Sequence, residues 1–378
     1  MRIVMASIVD PASFRGGAGT VTRALVRALE SAPLAARVEV VASPARGRWQ
    51  RRWRRLAAFA RAELAASAAK LEFQRSRRLL GQILVACRQP TDLVLLNGDD
   101  HFWLLPHLPP EVPVAFVAHN VEHELYRSQL ESGGGLLRLL PRLAARDLAR
   151  LRAAEIAGWR GIGRGIFVSS ADEAAARAVC PRLDSLVVPP LFEGPQWSGA
   201  RPVAAGASLE LGVLANFDWW PNRQGVDWLL RELLPRLDRA VRVHLFGSGG
   251  ERWRGRDERL VVHGFVADLD RFWSGCDLAL TPAFAGGGVV VKLAEAIYHR
   301  KPVVATRFAA HSLGLEPDPA VAVLDSAEQW AALLDGGEGR ALARRRPAAG
   351  LARRFALVEH LPALHEFARR AAARELAR

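Results

Sequence analysis

The chain has 378 residues, of which half are hydrophobic and 24% are charged. This is a globular composition, and the length suits two domains of ordinary size. The sequence has no run of about 18 apolar residues that would span a membrane, and its apolar start ends at Asp10, too early for a signal peptide. These features count against a membrane-spanning or exported protein and lead us to expect a cytoplasmic one.

The formal net charge is +13, and arginine carries nearly all of the excess because the sequence has few lysines. A basic balance of this size suits nucleic acid, an anionic membrane surface or a diphosphate substrate. Cys87, Cys180 and Cys276 show neither a CxxC pair nor the spacing of metal ligands. We therefore expect buried free thiols in a reducing compartment and no metal site.

Short apolar runs alternate with helical patterns along the whole chain. In the first half, strands are predicted at Arg2–Ser7, Val38–Ala42, Leu93–Leu96, Val114–Ala118 and Gly165–Ser169, with a helix over Thr20–Ala32. In the second half, strands are predicted at Leu209–Ala215, Val241–Phe246, Leu260–His263, Leu278–Thr281 and Pro302–Thr306. Continuous apolar strands separated by helices indicate parallel sheets that are buried on both faces.

The break between the two sheets falls in Pro189–Ser208, which is too rich in proline and glycine for regular structure. We therefore predict two doubly wound α/β domains, over residues 1–190 and 208–354, joined by a linker over 191–207. A basic helix is predicted over about 355–378, where it can pack back on the first domain.

A basic stretch from Arg46 to Arg55 contains six arginines and two tryptophans. A basic helix with interleaved aromatic residues suits the headgroup region of an anionic membrane. A solvated helix with no lipid partner explains the pattern equally well. Arginine density without a recognisable nucleic-acid-binding fold does not favour nucleic acid as a partner.

A glycine-rich loop, Phe14–Thr20, lies between the first strand and the first helix. Its glycines allow close approach of a ligand, and amides at a helix start favour an anion. The loop does not complete GxGxxG and begins several residues after the strand, which counts against a nicotinamide enzyme. Ordinary turn formation is the alternative explanation.

The most informative segment covers residues 277–306, where a buried strand leads into Gly286–Gly288 and then into a helix predicted to begin near residue 288. Glycine amides and a helix N-terminus favour phosphate oxygens. Lys292 lies close enough to the helix start for its ammonium to reach a diphosphate. Glu295, on the same helical face, is placed to accept hydrogen bonds from ribose hydroxyls. The alternative is a solvent-facing Lys–Glu pair after a glycine-rich turn.

This segment resembles the C-terminal motif of the family 4, or group 1, glycosyltransferases, which have the GT-B fold of two Rossmann-like domains facing across a cleft. Gly212–Asn222 is similar to a subgroup whose second domain opens with an Asp-Trp-x-Pro-Asn signature. Leu245–Gly249 resembles the strand and glycine turn beside the donor, and Val262–Val266 resembles the loop that reads the base. Phe116–Glu122 resembles a first-domain strand end that carries a histidine near the reacting sugar.

The resemblance implies a retaining hexosyltransferase that uses a nucleotide diphosphate sugar as donor, with the acceptor on the first domain and the donor on the second. It implies catalytic roles for His119 on the donor sugar, Lys292 on the leaving diphosphate and Glu295 on the ribose. The other residues expected to contact the donor are Gly16, Gly17, Asn216, Arg223, Gly247, Phe265, Gly287, Gly288 and Val289.

Two departures from the family pattern leave sugar recognition open. The first acid of the family's Glu-x7-Glu motif falls at Gly287, and its basic pair falls near Asn216 and Gln224, with Arg223 adjacent. These departures place more of the phosphate binding on Lys292. Amide groups, a helix N-terminus and an ammonium would stabilise charge on the β-phosphate, so we expect no metal and no other cofactor.

Other polar residues lie near the strand ends predicted for the first domain. Asp99 and Asp100, beside His101, are interpreted as polar surface on the acceptor side because no third metal ligand has fitting spacing. His123 and Glu124 either contact the acceptor or are ordinary surface residues at a helix start.

Two other functions are consistent with the residues: a nucleotide-sugar epimerase of the same fold, and a non-catalytic protein that binds nucleotide sugars or membranes. For a transferase, the acceptor would be lipid-linked, a saccharide or a small molecule. The expected process is polysaccharide or glycolipid assembly, in the cytoplasm or on the inner face of the cytoplasmic membrane.

Overall fold

A computed structural model describes residues 1–14, 16–43, 48–132, 140–194, 196, 208–238 and 240–373. Within these ranges the chain forms two compact units. The first unit comprises residues 1–189, 287–289 and those from 360 onward, and the second comprises residues 190–286 and 290–359.

The first unit is built on a six-stranded sheet in which every pairing is parallel. Its strands are β1 (Arg2–Ser7), β2 (Arg37–Ala42), β3 (Leu93–Asn97), β4 (Val114–Ala118), β5 (Arg164–Phe167) and β6 (Asp184–Val187), in the order β2-β1-β3-β4-β5-β6. Its helices are α1 (Gly17–Glu30), α2 (Arg48–Ala65), α3 (Ala69–Gln74), α4 (Arg77–Ala86), α5 (Glu122–Ser132), α6 (Pro141–Ile162) and α7 (Ser170–Val179). A 3₁₀ segment covers Asp99–His107.

The second unit is built on another six-stranded parallel sheet. Its strands are β7 (Leu209–Leu214), β8 (Val241–Phe246), β9 (Leu260–Gly264), β10 (Leu278–Thr281), β11 (Val303–Ala305) and β12 (Val321–Val323), in the order β12-β11-β10-β7-β8-β9. Its helices are α8 (Trp220–Trp228), α9 (Asp270–Gly275), α10 (Val291–Tyr298), α11 (Arg307–Ser312), α12 (Ala327–Asp335), α13 (Gly337–Ala343) and α14 (Ala349–Arg353). Further turns of helix cover Leu229–Leu233, Leu234–Arg236 and Gly250–Trp253.

The last helix that the structure describes is α15 (Leu357–Ala372), most of which belongs to the first unit. There His365 is buried and contacts the last turn of α1, with its Nε2 2.7 Å from the carbonyl oxygen of Ala28. Arg370 forms an ion pair with Asp184, at the start of β6, at 3.1 Å. A polar contact and an ion pair thus join α15 to two elements of the first unit, α1 and β6.

Each sheet is buried because its central strands carry apolar side chains on both faces. Val4, Val94 and Phe116 are fully buried in the core of the first unit, and Leu211 and Val243 are fully buried in the core of the second. Side chains alternate across a strand, so continuous apolar runs require cover on both faces, which the flanking helices provide. The two doubly wound Rossmann-like units therefore confirm the predicted α/β fold class.

In each sheet the strand order changes direction at one point. In the first sheet β1 lies between β2 and β3, and in the second β7 lies between β8 and β10. Loops on either side of such a point leave the sheet in opposite directions and open a crevice at the carboxyl ends of the strands, where ligands bind in open α/β folds. The residues that follow β1, β3, β7 and β10 are therefore the first places to look for a site.

The structure corrects two predicted helix starts. Helix α1 begins at Gly17 rather than Thr20, because Gly16 and Gly19 allow the chain to pack on Phe14; a Cβ atom on Gly19 would lie 2.3 Å from the Phe14 carbonyl oxygen. Helix α10 begins at Val291, not near residue 288. The strands β6 and β12 have no counterpart among the predicted elements, since each is short and only partly buried.

Candidate functional site

His119 follows β4 directly, at the carboxyl edge of the first sheet. It is half-buried, and its Nε2 lies 2.8 Å from Oδ1 of Asn97, the last residue of β3. The amide nitrogen of Asn97 in turn contacts Oγ of Ser7, the last residue of β1, and Oγ1 of Thr22 in α1, at 3.0 and 2.9 Å. These contacts bring together residues from three adjacent strand ends and from α1, at the point where strand order changes.

Burial lowers the pKa of His119 to about 4, although the charge of Glu122 acts in the opposite direction. Burial also lowers the pKa of the neighbouring His101 to about 4. Both rings are therefore neutral near pH 7. A neutral imidazole has one nitrogen that donates and one that accepts a hydrogen bond, so His119 can accept a hydrogen bond from a bound hydroxyl.

Gly288 lies close to this histidine within the first unit. A Cβ atom on Gly288 would lie 2.2 Å from the His119 carbonyl oxygen and 2.4 Å from Oδ1 of Asn120, and its φ is +63°. A Cβ atom on Gly287 would lie 2.7 Å from that of Leu125. Only glycine fits these positions without displacing the backbone. The half-buried Val289 completes the segment 287–289 that belongs to the first unit.

Gly16 and Gly17 lie at the start of α1. Gly16 is the N-cap residue and provides no side-chain cap, and Gly17 is the first residue of the helix. A Cβ atom on Gly16 would lie 2.5 Å from the Phe14 ring, so a larger residue would displace that ring. The N-terminal N–H groups of α1 therefore have no side-chain acceptor from their own cap and are suited to an anion.

Asp99, Asp100 and His101 are buried and do not form the polar surface that we expected. Asp99 accepts a hydrogen bond from the Trp159 indole at 2.9 Å, and Asp100 lies 3.5 Å from the ammonium of Lys70. Burial raises the pKa of Asp100 to about 7, although Lys70 opposes this shift. The indole and the ammonium provide the partners that allow these carboxyl groups to be buried.

Lys70 also pairs with Glu122, whose other carboxylate oxygen accepts a hydrogen bond from the Asn120 side chain at 3.1 Å. Burial alone would lower the pKa of Lys70, but Asp100 and Glu122 outweigh this effect and raise it. His123 pairs with Glu155 through Nδ1, so it is tied to helix α6. This network anchors the start of α5, just after His119.

Elsewhere in the same region, Glu124 is exposed. Over the described ranges, no group of three or more His, Cys, Asp or Glu side chains is arranged to hold a metal ion.

In the second unit, hydrogen bonds between side chains and backbone hold the loop after β7 in shape. Asn216 Oδ1 accepts a hydrogen bond from the Asp218 amide at 3.0 Å, and the Asn216 carbonyl oxygen accepts one from Asn222 at 2.8 Å. Arg223 donates to the Asp218 carbonyl oxygen at 2.5 Å. The structure therefore places Asn216 and Arg223 in support of this loop, at the strand end where the order of the second sheet changes.

Backbone contacts join the loops after β8 and β9 to the loop after β7. Gly247 has a φ of +136°, and a Cβ atom there would lie 1.7 Å from the Ala215 carbonyl oxygen. Its N–H donates to the carbonyl oxygen of Gly264, the last residue of β9, at 2.8 Å. Phe265 follows and exposes 55% of its surface. An exposed aromatic ring beside these glycines is available to stack on a base or sugar.

Helix α10 starts without a side-chain cap from Val290. The Val290 N–H donates to Ser312 Oγ at 3.1 Å, whereas in the described residues the N–H groups of Val291 and Lys292 have no hydrogen-bond partner. Lys292 donates to Oε2 of the buried Glu295 at 2.6 Å. The amides suited to an anion therefore belong to Val291 and Lys292, after the glycine loop.

Two charged or polar groups at these edges were not identified from the sequence. Arg252 donates to the Gly249 carbonyl oxygen at 2.8 Å and pairs with Asp218 at 3.2 Å, so a cation lies on the loops after β7 and β8. Asn97 lies beside His119. As a polar residue that ends a buried apolar run, Asn97 carried a signal that could have been recognised, but Arg252 had no such signal among many arginines.

The arginine- and tryptophan-rich stretch is only partly described. Arg46 lies outside the described residues, and the side chains of residues 48–53 and 55–56 do as well. Arg54 donates to the backbone carbonyl oxygens of Phe73 and Arg75 at 3.2 and 2.9 Å, so it supports the neighbouring helix. Among the helices that are described, none is both long and apolar enough to cross a bilayer.

Residues 209–371 match the family model "Glycosyl transferases group 1", a segment that contains β7 to β12 and most of α15. No curated protein sequence matches the chain.

Solved structures show the fold. Sucrose-phosphate synthase from Thermosynechococcus elongatus superposes with a TM-score of 0.70 at 16% identity, over 98% of this chain and 98% of that one. HepE from Anabaena, solved in complex with UDP, has a TM-score of 0.63 at 14% identity, over 97% and 99%. WaaG, a glycosyltransferase involved in lipopolysaccharide biosynthesis, has a TM-score of 0.58 at 14% identity, over 98% of both chains. The chain therefore has the GT-B fold of these glycosyltransferases.

Proposed function

We propose that this protein is a group 1 glycosyltransferase that moves a hexose from a nucleoside diphosphate donor to an acceptor. The observation that carries the proposal is the start of α10, an uncapped helix end that follows a glycine-rich loop at the carboxyl end of β10 and has Lys292 in its first turn. The family match supports the proposal because residues 209–371 include all of these parts. The UDP complex of HepE supports a nucleoside diphosphate as the class of ligand.

The donor diphosphate would bind at the start of α10. The first N–H groups of a helix carry a partial positive charge, and Lys292 adds a full one. An ammonium group has three protons to donate. Glu295 accepts one of them at 2.6 Å, which leaves two for phosphate oxygens. Glu295 thus holds the ammonium at the helix start while its remaining lone pairs can accept from ribose hydroxyls.

The nucleoside would lie along the neighbouring strand ends. Phe265 is exposed directly after β9, where its ring and backbone can contact the base. Gly247 keeps the loops after β7 and β8 close together, and Asn216 and Arg223 hold the first of them in shape. In the first unit, Gly16 and Gly17 at the start of α1 would contact the diphosphate, Gly288 lies beside His119 and Gly287 lies beside Leu125.

Sugar transfer breaks the bond between the anomeric carbon and a β-phosphate oxygen, so negative charge grows on the departing nucleoside diphosphate. Amides and an ammonium that are already in place stabilise this charge without reorganisation. We propose that they suffice without a divalent cation. Glu295, the carboxylate of the proposed site, is engaged by Lys292. We therefore propose that the sugar is transferred with retention: the acceptor hydroxyl attacks the anomeric carbon on the same face that the diphosphate leaves, and its proton passes to the departing β-phosphate oxygen.

The acceptor would bind the first unit, and we propose a saccharide or lipid-linked acceptor in polysaccharide or glycolipid assembly. Arg46–Arg55 would hold the protein on an anionic membrane, on the inner face of the cytoplasmic membrane. This part of the proposal is supported by the sequence pattern alone, since most of these side chains lie outside the described residues.

A panel of nucleoside diphosphates and their sugars tests the proposed function. We expect one nucleoside diphosphate and its sugar to raise Tm, because a ligand at 100 times its Kd stabilises the folded state by about 2.7 kcal/mol. The same sugar nucleotide should release its nucleoside diphosphate in the presence of acceptor. Conversion of the sugar without release would indicate an epimerase, and binding without any turnover would indicate a non-catalytic protein. No thermal shift with any member would contradict nucleotide binding.

A further inference from the structure

The Ser7 and Thr22 hydroxyl groups beneath His119 both donate to backbone carbonyl oxygens. Ser7 Oγ donates to the Val9 carbonyl oxygen at 2.7 Å, and Thr22 Oγ1 donates to the Ala18 carbonyl oxygen at 2.8 Å. Each hydroxyl has a single proton. While both hydroxyls donate to the backbone, both oxygens accept a hydrogen bond from the side chain of Asn97, which lies 3.0 and 2.9 Å away.

This arrangement decides which way the Asn97 amide faces. Its NH₂ group is assigned to the two hydroxyl oxygens, because the reverse orientation would set a carbonyl oxygen against them unless both hydroxyls gave up their hydrogen bonds to the Val9 and Ala18 carbonyl oxygens. Ser7 and Thr22 are fully buried and Asn97 is 1% exposed, so water cannot replace the lost hydrogen bonds. Asn97 Oδ1 then faces His119 Nε2 at 2.8 Å and can only accept, so Nε2 must carry the proton.

We propose that Asn97, held by Ser7 and Thr22, is a positioning residue that fixes His119 in the neutral Nε2–H form and leaves the lone pair of Nδ1 for a hydroxyl of the bound sugar. A ring in this form rejects phosphate and carbonyl oxygens at Nδ1, since two acceptors repel each other. The tautomer follows from the hydrogen bonds alone, whereas the hydrogen bond between Nδ1 and a sugar hydroxyl rests on the proposed function.

The charges around the ring agree with this assignment. Glu122, at the start of α5, is the carboxylate that acts on His119, and His101, in the 3₁₀ segment after β3, is the neighbouring ionisable ring. Burial outweighs Glu122 and keeps the pKa of His119 at about 4, and His101 is likewise neutral above that pH. Nδ1 of His119 therefore stays unprotonated near pH 7.

The tautomer can be read directly by ¹⁵N NMR of the protein labelled in its histidines, with the His119 signals assigned by their absence in His119→Gln. We expect the neutral Nε2–H form near pH 7, unchanged as pH falls to roughly 5, well below the ordinary histidine pKa. A neutral Nδ1–H form, or a charged ring near pH 7, would overturn the assignment. No donor is needed, so this measurement stands even if the protein transfers no sugar.

The substitution Asn97→Asp tests the functional part. A carboxylate at this position accepts from Nε2–H but favours the charged ring, so the pKa of His119 should rise. Below the new pKa, Nδ1 becomes a donor and cannot accept from the sugar. We expect kcat of Asn97→Asp to fall at least about tenfold at the acid end of the range and to recover as pH rises. The kcat of the wild-type protein should show no such fall between roughly pH 5 and 8.

A residue with a purely structural role would lower kcat equally at every pH, and that result would overturn the proposal. If Asn97→Asp does not fold, the double variant Ser7→Ala, Thr22→Val removes the two acceptors and frees the amide to rotate. Its ¹⁵N spectrum should then show His119 as a mixture of both neutral forms. A spectrum that keeps the Nε2–H form alone would show that the hydroxyls do not set the tautomer.

Discussion

Replacing Lys292 with alanine should lower kcat by roughly 100-fold while the fold is retained. The ammonium is positioned by Glu295 at 2.6 Å, and the loss of one preorganised donor to a growing negative charge costs about 3 kcal/mol in comparable sites. The Km for the donor should change less, because the charge on the leaving group is greatest in the transition state. Steady-state release of the nucleoside diphosphate measures both constants.

Two matched variants separate this effect from a disturbed helix. Lys292→Arg keeps the positive charge and should retain more activity than Lys292→Ala. In the double variant Lys292→Ala, Glu295→Gln, no unpaired carboxylate remains at the buried position. If the double variant regains wild-type kcat, the loss in Lys292→Ala came from an uncompensated Glu295. Unchanged turnover in the single variant would refute the role of Lys292.

The second large effect should come from His119→Ala, with transfer reduced more than nucleotide binding. His119 lies at the end of β4 on Asn97 and is neutral, so its proposed partner is a sugar hydroxyl and not the diphosphate. We expect kcat to fall by about 10²-fold or more, as for other residues that act on the reacting group. The Kd for the free nucleoside diphosphate, measured by calorimetry, should stay within about threefold of the wild-type value.

His119→Asn is the control, because the asparagine side chain is no larger than histidine and its amide oxygen can still accept a hydrogen bond. It should retain more transfer than His119→Ala. If transfer and nucleotide binding fall together in His119→Ala, with a lowered Tm, the histidine has a structural role and its assignment to the sugar is wrong.

The strands were predictable because their apolar runs are continuous. β1, β4, β8 and β10 lie where the sequence predicts them, since buried parallel strands need apolar residues on both faces. The helix starts were less predictable. Glycine usually ends helices, yet in α1 it allows close packing on Phe14, a tertiary contact that local sequence does not show.

Burial of polar residues was the other point that the sequence did not reveal. Asp99 and Asp100 stand next to each other in a pattern typical of surfaces, and their partners Trp159 and Lys70 are distant in the chain. A lone lysine within an alanine-rich stretch likewise gave no sign that it pairs with Glu122. Such pairings depend on the fold bringing separate helices together, so they become visible only in three dimensions.

For the candidate site, the sequence indicates which residue types are present, and the structure shows which groups lie at the helix start and in the loops. The sequence indicates the order of glycines, Lys292 and Glu295, and the structure shows that the amides at the helix start belong to Val291 and Lys292. It also shows that Asn216 and Arg223 hold a loop. Whether any of these residues contacts a donor stays a prediction.

Amide hydrogen exchange of the full chain with and without its preferred nucleoside diphosphate tests the central claim most directly. We predict that the ligand slows exchange in the peptides that cover Gly286–Lys292 and the loop after β7, because bound phosphate oxygens occupy the N–H groups at the start of α10. Slower exchange elsewhere, with these two segments unchanged at saturation, would contradict the account.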